Sequence, residues 1–552
     1  MRTMTKQNRK GKLSLATVAA LAAGSMLLAG CSGSGAGQAT KDPAHFTITA
    51  NSDKPSGPID SITWAIYAEP ASLDYTHAFD YPDNQVLANV CDSLLRWNSD
   101  LSLSPGLAEK YSNPTPTTWV YEIRPGVKFH DGTTLEAKDV VASLERHINP
   151  EVGSYWAAVY QDVKSIKQTG PMEVTVTTTK PDSQFNTYMG ASPGTIESAA
   201  TLAKDGANYG NPSAGVNCTG PFSLASWNSG TGITLKKFND YWDPALTAKA
   251  DQVKFVFLPD SNARVNALKS GEVDGSWQVP SNAIDQLQAS GQGKVLFGTN
   301  TAVVSEIVGN TEGVLGDPRV RQALLMALDR KGLVQAAEQG YATVTNALTT
   351  KSSWVGVNAD VLDKAFSGLK SYDYDLPAAK KLIADAGAAG KPVTIVSSNI
   401  TPGMAITAQA FGAAATSLGL KPTLQTVSPD KYTSLFTDPA ARKGIDLFTT
   451  SWYTSSPDPL DMYGVLRTGD FSNYGNWSNK EFDTVINSAI ETMDVNERAA
   501  KTAQGQKITN DQLPWLPLYE TPNTVWLGKK ITGLAPSVNF LYYPWAATLG
   551  AK

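Results

Sequence analysis

The stretch Leu107–Leu144, reading LAEKYSNPTPTTWVYEIRPGVKFHDGTTLEAKDVVASL, constrains this chain more than any other part of it. Trp119-Val120-Tyr121-Glu122-Ile123 alternates apolar and polar residues in a β-rich composition, which predicts a half-buried strand. Arg124-Pro125-Gly126 interrupts it. Val127-Lys128-Phe129 reads as a second short strand, closed by a turn at His130-Asp131-Gly132. Thr133, with Glu136 three residues on, has the form of a capping box, and Val140, Val141, Leu144 and Ile148 then fall on one helical face. The predicted order is strand, turn, strand, turn, capped helix.

The first thirty residues read as an address, to be kept out of the fold. Arg2, Lys6, Arg9, Lys10 and Lys12 form a basic start without an acid, and Leu13–Ala29 is a run of small apolar residues too short for a comfortable membrane span. It ends in Leu28-Ala29-Gly30-Cys31, which resembles the lipobox of bacterial lipoproteins. That resemblance implies cleavage before Cys31 and a diacylglycerol on its sulfur. Two or more acyl chains, at about 0.8 kcal/mol per buried methylene, hold a protein stably on a membrane. The chain is therefore expected on the extracytoplasmic face of the cell membrane, anchored and not spanning. Residues 31–57, rich in Gly, Ser and Thr with Pro43 and Pro55, read as a tether.

Composition constrains the body. Removing the five basic residues of the leader leaves 41 basic against 51 acidic residues, and this acidic balance without a basic stripe argues against nucleic-acid binding. There is no H-E-x-x-H, C-x-x-C or Walker A pattern, which argues against an enzyme; carboxylate pairs exist, but nothing in the sequence makes two of them converge. The four histidines, at 45, 77, 130 and 147, have no ligand spacing, so no metal or other cofactor is expected. His45 falls in the tether, His130 reads as a hydrogen-bonded turn residue, and His147 reads as a helix-end group whose partial positive charge suits the macrodipole.

Further along, Ile62–Tyr67 alternates as a strand, and Gly220-Pro221-Phe222 with Gly232–Lys236 reads as a hairpin. Ala263–Gly271 reads as a helix ending in glycine. Asp317-Pro318 starts another helix, Asp329 caps the next and Gly340 ends it. Strands at Leu420–Val427 and Ile445–Thr450 alternate with helices, the pattern of an α/β body with mixed sheets.

The signature block, the Asp317–Arg330 helix pair and the turn Glu272-Val273-Asp274-Gly275 together resemble the family 5 extracellular solute-binding proteins, which include the dipeptide- and oligopeptide-binding proteins of ABC importers. The resemblance runs from Ile62 to Leu534. It implies a two-lobed periplasmic-binding-protein-like fold (type II, large cluster C type) with a hinge. Lobe I would take residues 58–299, with an inserted subdomain near 85–200, and again 514–552; lobe II would take 300–513. It also implies a monomer that captures a small solute by lobe closure and delivers it to an ABC permease driven by a separate ATPase. A receptor that reports a peptide signal without transport remains open.

Cys91 and Cys218 stand where the family pattern has other residues, Cys218 replacing a glycine-rich position before Thr219-Gly220-Pro221. They could be two small buried hydrophobes, but paired departures in an exported chain favour a disulfide. For the cleft, the resemblance and the placement of loops after strands point to Glu69, Ala71, Trp277, Asn310, Trp452, Tyr453, Ser455 and Asp458. Peptide-binding members carry an aspartate, three residues beyond the tryptophan, that holds the peptide ammonium. Here Ser455 takes that place. Either Asp458 or Glu69 supplies the charge, or the solute lacks a free amino terminus. Peptides rank first on family frequency, with oligosaccharides, opines, metal chelates and blocked peptides left open.

Overall fold

The strand predicted at Ile62–Tyr67 forms three residues earlier, at Ile59–Ile66. Ile59–Ile66 buries Ile62, Trp64 and Ile66 and pairs in parallel with Ala250–Phe257 and with Gly275–Trp277. The computed structural model describes residues 46–552. The leader, Cys31, His45 and the tether up to residue 45 lie outside the described residues. Residues 46–57 are not free tether: Thr49 N–H donates to the Phe297 carbonyl at 2.7 Å, and Ser52 and Ser56 N–H donate to Leu534 and Ala551 at 2.8 Å each.

Two large mixed sheets organise the body. The first runs, in spatial order, Gly293–Gly298, Asn523–Gly528, Gly275–Trp277, Ile59–Ile66, Ala250–Phe257, Gly232–Lys237, Phe222–Asn228. The glycine-acid turn has a steric reason: a Cβ on Gly275 would collide with the Trp64 ring, and Asp274 accepts the Thr63 N–H at 2.9 Å. The second sheet runs Thr343–Val344, Trp515–Glu520, Val303–Val308, Leu447–Trp452, Pro392–Ser398, Lys421–Val427. A four-stranded antiparallel sheet, made of Ala108–Thr115, Thr118–Ile123, Glu173–Thr178 and Val163–Gly170, forms the insertion in the first lobe. The chain passes between the two large sheets at 299–302 and at 521–522. The return lies later than residue 514, because Trp515–Glu520 hydrogen-bonds to Val303–Val308 in the second sheet.

The signature block folds with two changes. Val127–Phe129 forms no paired strand; a single bridge joins Lys128 to Thr134. The helix starts three residues late, at Ala137–Glu145, because Thr133 is engaged by Asp131, while Asp139 reaches back to the Glu136 N–H at 2.9 Å. Val140 and Leu144 are buried, but Ile148 lies past the helix end and is exposed. His147 is not a charged helix end. Burial between Tyr160 and Ser154, beside Arg146, pushes its pKa down to about 3, so it is neutral. His130 is likewise held neutral by burial, its pKa lowered to about 4, with Nε2 on the Gly220 carbonyl. The helix at Arg330–Glu338 closes on Gln339, in the left-handed region, one residue before Gly340.

Cys91 and Cys218 are disulfide-bonded, with Cα atoms 4.8 Å apart and 127 positions between them in sequence. The bond ties the first helix of the first lobe to the strand pair that follows the insertion. Chain entropy for a loop of this length gives at most ~5 kcal/mol. Replacing both cysteines by alanine is expected to lower the unfolding free energy by roughly 2–5 kcal/mol while leaving the wild-type far-UV circular dichroism intact, read by urea titration. An unchanged midpoint would show that the bond adds nothing.

Candidate functional site

A cavity of about 390 Å³ lies between the lobes, within the range of about 300–1,000 Å³ usual for small-molecule sites. Asn300 and Thr521-Pro522, from the two crossings, line one end, and Asp162, Asp182 and Gln184 of the insertion also line it. The lobes touch across it. Tyr188 donates its hydroxyl to Asp461 Oδ1 at 2.5 Å, Thr187 Oγ1 and Ser456 Oγ are 2.8 Å apart, and Ser183 N–H donates to the Ile490 carbonyl at 2.9 Å. Tyr453 donates to the Phe79 carbonyl and packs its ring 4.9 Å from that of Tyr81.

The lining is aromatic and acidic. Fourteen Phe, Tyr and Trp side chains stand with six carboxylates (Asp80, Asp162, Asp182, Glu338, Asp461, Asp470) and one cation, Arg467. Such a wall suits a solute with both apolar surface and positive charge. Burial pushes Asp461 up to about 7, against the pull of the Tyr188 hydroxyl and the Ser455 N–H. Burial pushes Asp182 up to about 6, with the N–H groups of Gln184 and Phe185 pulling the other way. It also raises Asp80, despite hydrogen bonds from Tyr81 N–H and the Tyr67 hydroxyl, and Glu338, despite those from Ser281 and Tyr519.

Of the residues singled out in sequence, Trp452, Tyr453 and Ser455 line this cavity. Five others do not. Glu69 is turned to a loop of its own lobe, accepting from Trp227 Nε1 and Gly230 N–H at 2.8 Å each. Ala71 is held by its N–H to Asp83 at 2.7 Å. Trp277 is core, 2% exposed and stacked on Phe540 at 4.2 Å; the cavity takes its successors Gln278 and Val279 instead. Asn310 donates to Asp446 at 3.1 Å. Asp458 is neutralised by Arg498, whose Nε lies 2.9 Å away. The carboxylate beside Ser455 is Asp461, whose Oδ2 accepts the Ser455 N–H at 2.8 Å. Asp461 sits in the first turn of Leu460–Gly464, a helix of five residues that carries no periodic signal in sequence.

Residues 102–474 match the family described as bacterial extracellular solute-binding proteins, family 5, middle. The chain belongs to this family. Among family 5 relatives, the glutathione-binding protein GsiB of Salmonella paratyphi A is 25% identical over 490 residues, covering 87% of this chain and 93% of that one. GsiB of Escherichia coli K12 is 24% identical over 488 residues, with the same coverage. Among solved structures, the binding protein AgaA in complex with agropinic acid, from A. tumefaciens R10, superposes with a TM-score of 0.79 at 24% identity, covering 89% of this chain and 98% of that one. DppA of Helicobacter pylori in complex with the peptide STSA gives 0.79 at 21% identity, covering 90% and 98%. These neighbours have the same two-lobed fold.

The raised Asp461 pKa carries a sign. Unfolded, this carboxyl titrates near 3.9; folded, near 7. The native state therefore holds the proton more tightly, and ionisation destabilises it progressively as pH rises from about 4 to about 7. Asp461→Asn removes that penalty. The variant is expected to match wild type near pH 4 and to gain up to ~4 kcal/mol above pH 7 in solute-free protein, read as a melting-temperature difference that grows with pH and then levels. A difference that stays flat across that range would contradict the burial of this carboxyl.

Proposed function

We propose that the chain is the solute-capturing lipoprotein of an ABC importer, held by a lipidated Cys31 on the outer face of the membrane. It works as a monomer, closing on a peptide-type solute with a free amino group and presenting it to the permease. Family membership supports the solute-binding role, and relatives named for glutathione and peptides support the solute class. Asp461 carries the choice of an ammonium. A buried ammonium left without a counter-charge costs several kcal/mol, and Asp461 stands beside Ser455 with neutral hydrogen-bond partners and no cation of its own. An ammonium in this place would ionise it and end its penalty. Arg467, the one cation among the described lining residues, faces Asp470 at 3.9 Å and donates to Gly464 and Asn487, so a solute carboxylate would share it with these partners. Closure excludes water, so both pairings act at low effective dielectric. Trp452, Tyr453 and Ser455 form the wall on which the solute lies.

Calorimetry with free and N-acetylated tripeptides, beside short oligosaccharides, tests this. Acetylation is expected to weaken binding at least ~100-fold in wild type, as loss of a buried charge pair implies, and to change little in Asp461→Asn. Trp452→Ala is expected to weaken binding roughly tenfold or more through lost aromatic contact with a small change in melting temperature. Indifference to acetylation, or preference for a sugar, would contradict the peptide reading.

A further inference from the structure

The segment Asp182–Tyr188 closes the cavity from the insertion and spends nearly all its polar groups in doing so. Asp182 Oδ1 accepts the N–H of Gln184 at 2.8 Å and of Phe185 at 3.2 Å. The Gln184 carbonyl accepts Thr187 Oγ1 at 2.6 Å and Thr187 N–H at 2.9 Å. Ser183 N–H, Thr187 Oγ1 and Tyr188 Oη are bonded to Ile490, Ser456 and Asp461 of the other lobe. Two buried side chains are left over, those of Ser183 and Gln184, and of the two only Gln184 lines the cavity. Gln184 is 6% exposed, and neither atom of its carboxamide, Oε1 or Nε2, has a partner. A buried amide with both ends unmatched is costly, and native structures rarely keep one without a reason. Across the cavity, on the second lobe, the Trp452 Nε1 donor is unmatched as well.

We propose that Gln184 reads the solute's backbone, its carboxamide pairing with the N–H and C=O of a single residue of an extended peptide. The chemistry fits because an extended residue presents its own N–H and C=O along the same edge, as in the hydrogen-bonded pairs of an antiparallel ladder. A carboxamide offers one acceptor and one donor side by side in one plane. Recognition of this kind ignores side-chain identity, so it selects peptides as a class. Gln184 sits in the segment that makes the interlobe bonds, so satisfying it couples the presence of backbone to closure. This inference rests on the peptide reading and adds a residue to it.

The test is calorimetry of trialanine and its singly N-methylated analogues with wild type and with Gln184→Leu, which keeps a branched side chain one carbon shorter and removes both polar atoms. One analogue is expected to bind wild type at least tenfold more weakly than trialanine. Gln184→Leu is expected to bind trialanine at least tenfold more weakly and to show no further loss with that analogue. Gln184→Met serves in the same way if the leucine variant does not fold. Equal losses on N-methylation in both proteins, or unchanged binding of trialanine by the variant, would overturn the role of Gln184 while leaving the peptide reading in place. Failure of trialanine to bind wild type would also overturn it, because a backbone reader must accept alanine. The peptide reading itself is judged separately by the acetylation series.

Discussion

The structure depends on two strand pairings placed back to back. Gly298 pairs with Asn523 at the edge of the first sheet, and Val303 pairs with Glu520 inside the second. The four residues 299–302 and the two residues 521–522 therefore run side by side between the sheets. Asn300 Nδ2 donates to the Thr521 carbonyl at 3.0 Å and ties one crossing to the other. Two short antiparallel connectors side by side permit bending and resist sliding, which is the geometry of a hinge. Since Asn300, Thr521 and Pro522 also line the cavity, the hinge and the site share residues.

Charge is distributed by a second rule. Some buried acids that hold the fold are matched to arginine, as Arg146 bridges Asp74 and Glu197 and Arg498 pairs with Asp458, while Glu306 is met by the Thr449 hydroxyl and Asp83 by the Ala71 N–H. Three acids of the cavity are matched only to neutral donors. Asp461 has Tyr188 and Ser455, Asp80 has Tyr67 and Tyr81, and Glu338 has Ser281 and Tyr519. Burial raises all three. A protein gains nothing for its own stability from such groups, whereas a cationic solute would find its counter-charges already oriented.

Much of the scaffold was legible in the sequence because its punctuation is local. Asp317 before Pro318, Asp329 and Gly271 each do in the structure what capping chemistry predicts. The capping box at Thr133 failed for a local reason too: Asp131, two residues earlier, takes both the hydroxyl and the N–H of Thr133. The site was less legible. Trp277 and Gln278 are neighbours in sequence, yet one is core and the other cavity wall, since the strand ends at Trp277 and Gln278 turns out of it in a left-handed conformation that no sequence signal marks. Asp458 and Asp461 lie three positions apart, and only the distant Arg498 decides which is neutralised and which is left to the cavity. Tertiary contacts of this kind leave no mark on spacing.

Closure of the two lobes on a solute about the paired crossings would contract the whole molecule. Small-angle scattering of the mature protein, with and without a saturating free tripeptide, tests it most directly. A smaller radius of gyration and a shorter maximum dimension are expected with peptide bound, with that contraction lost in Asp461→Asn at the same peptide concentration. Identical scattering curves with and without a peptide that calorimetry shows to be bound would contradict it.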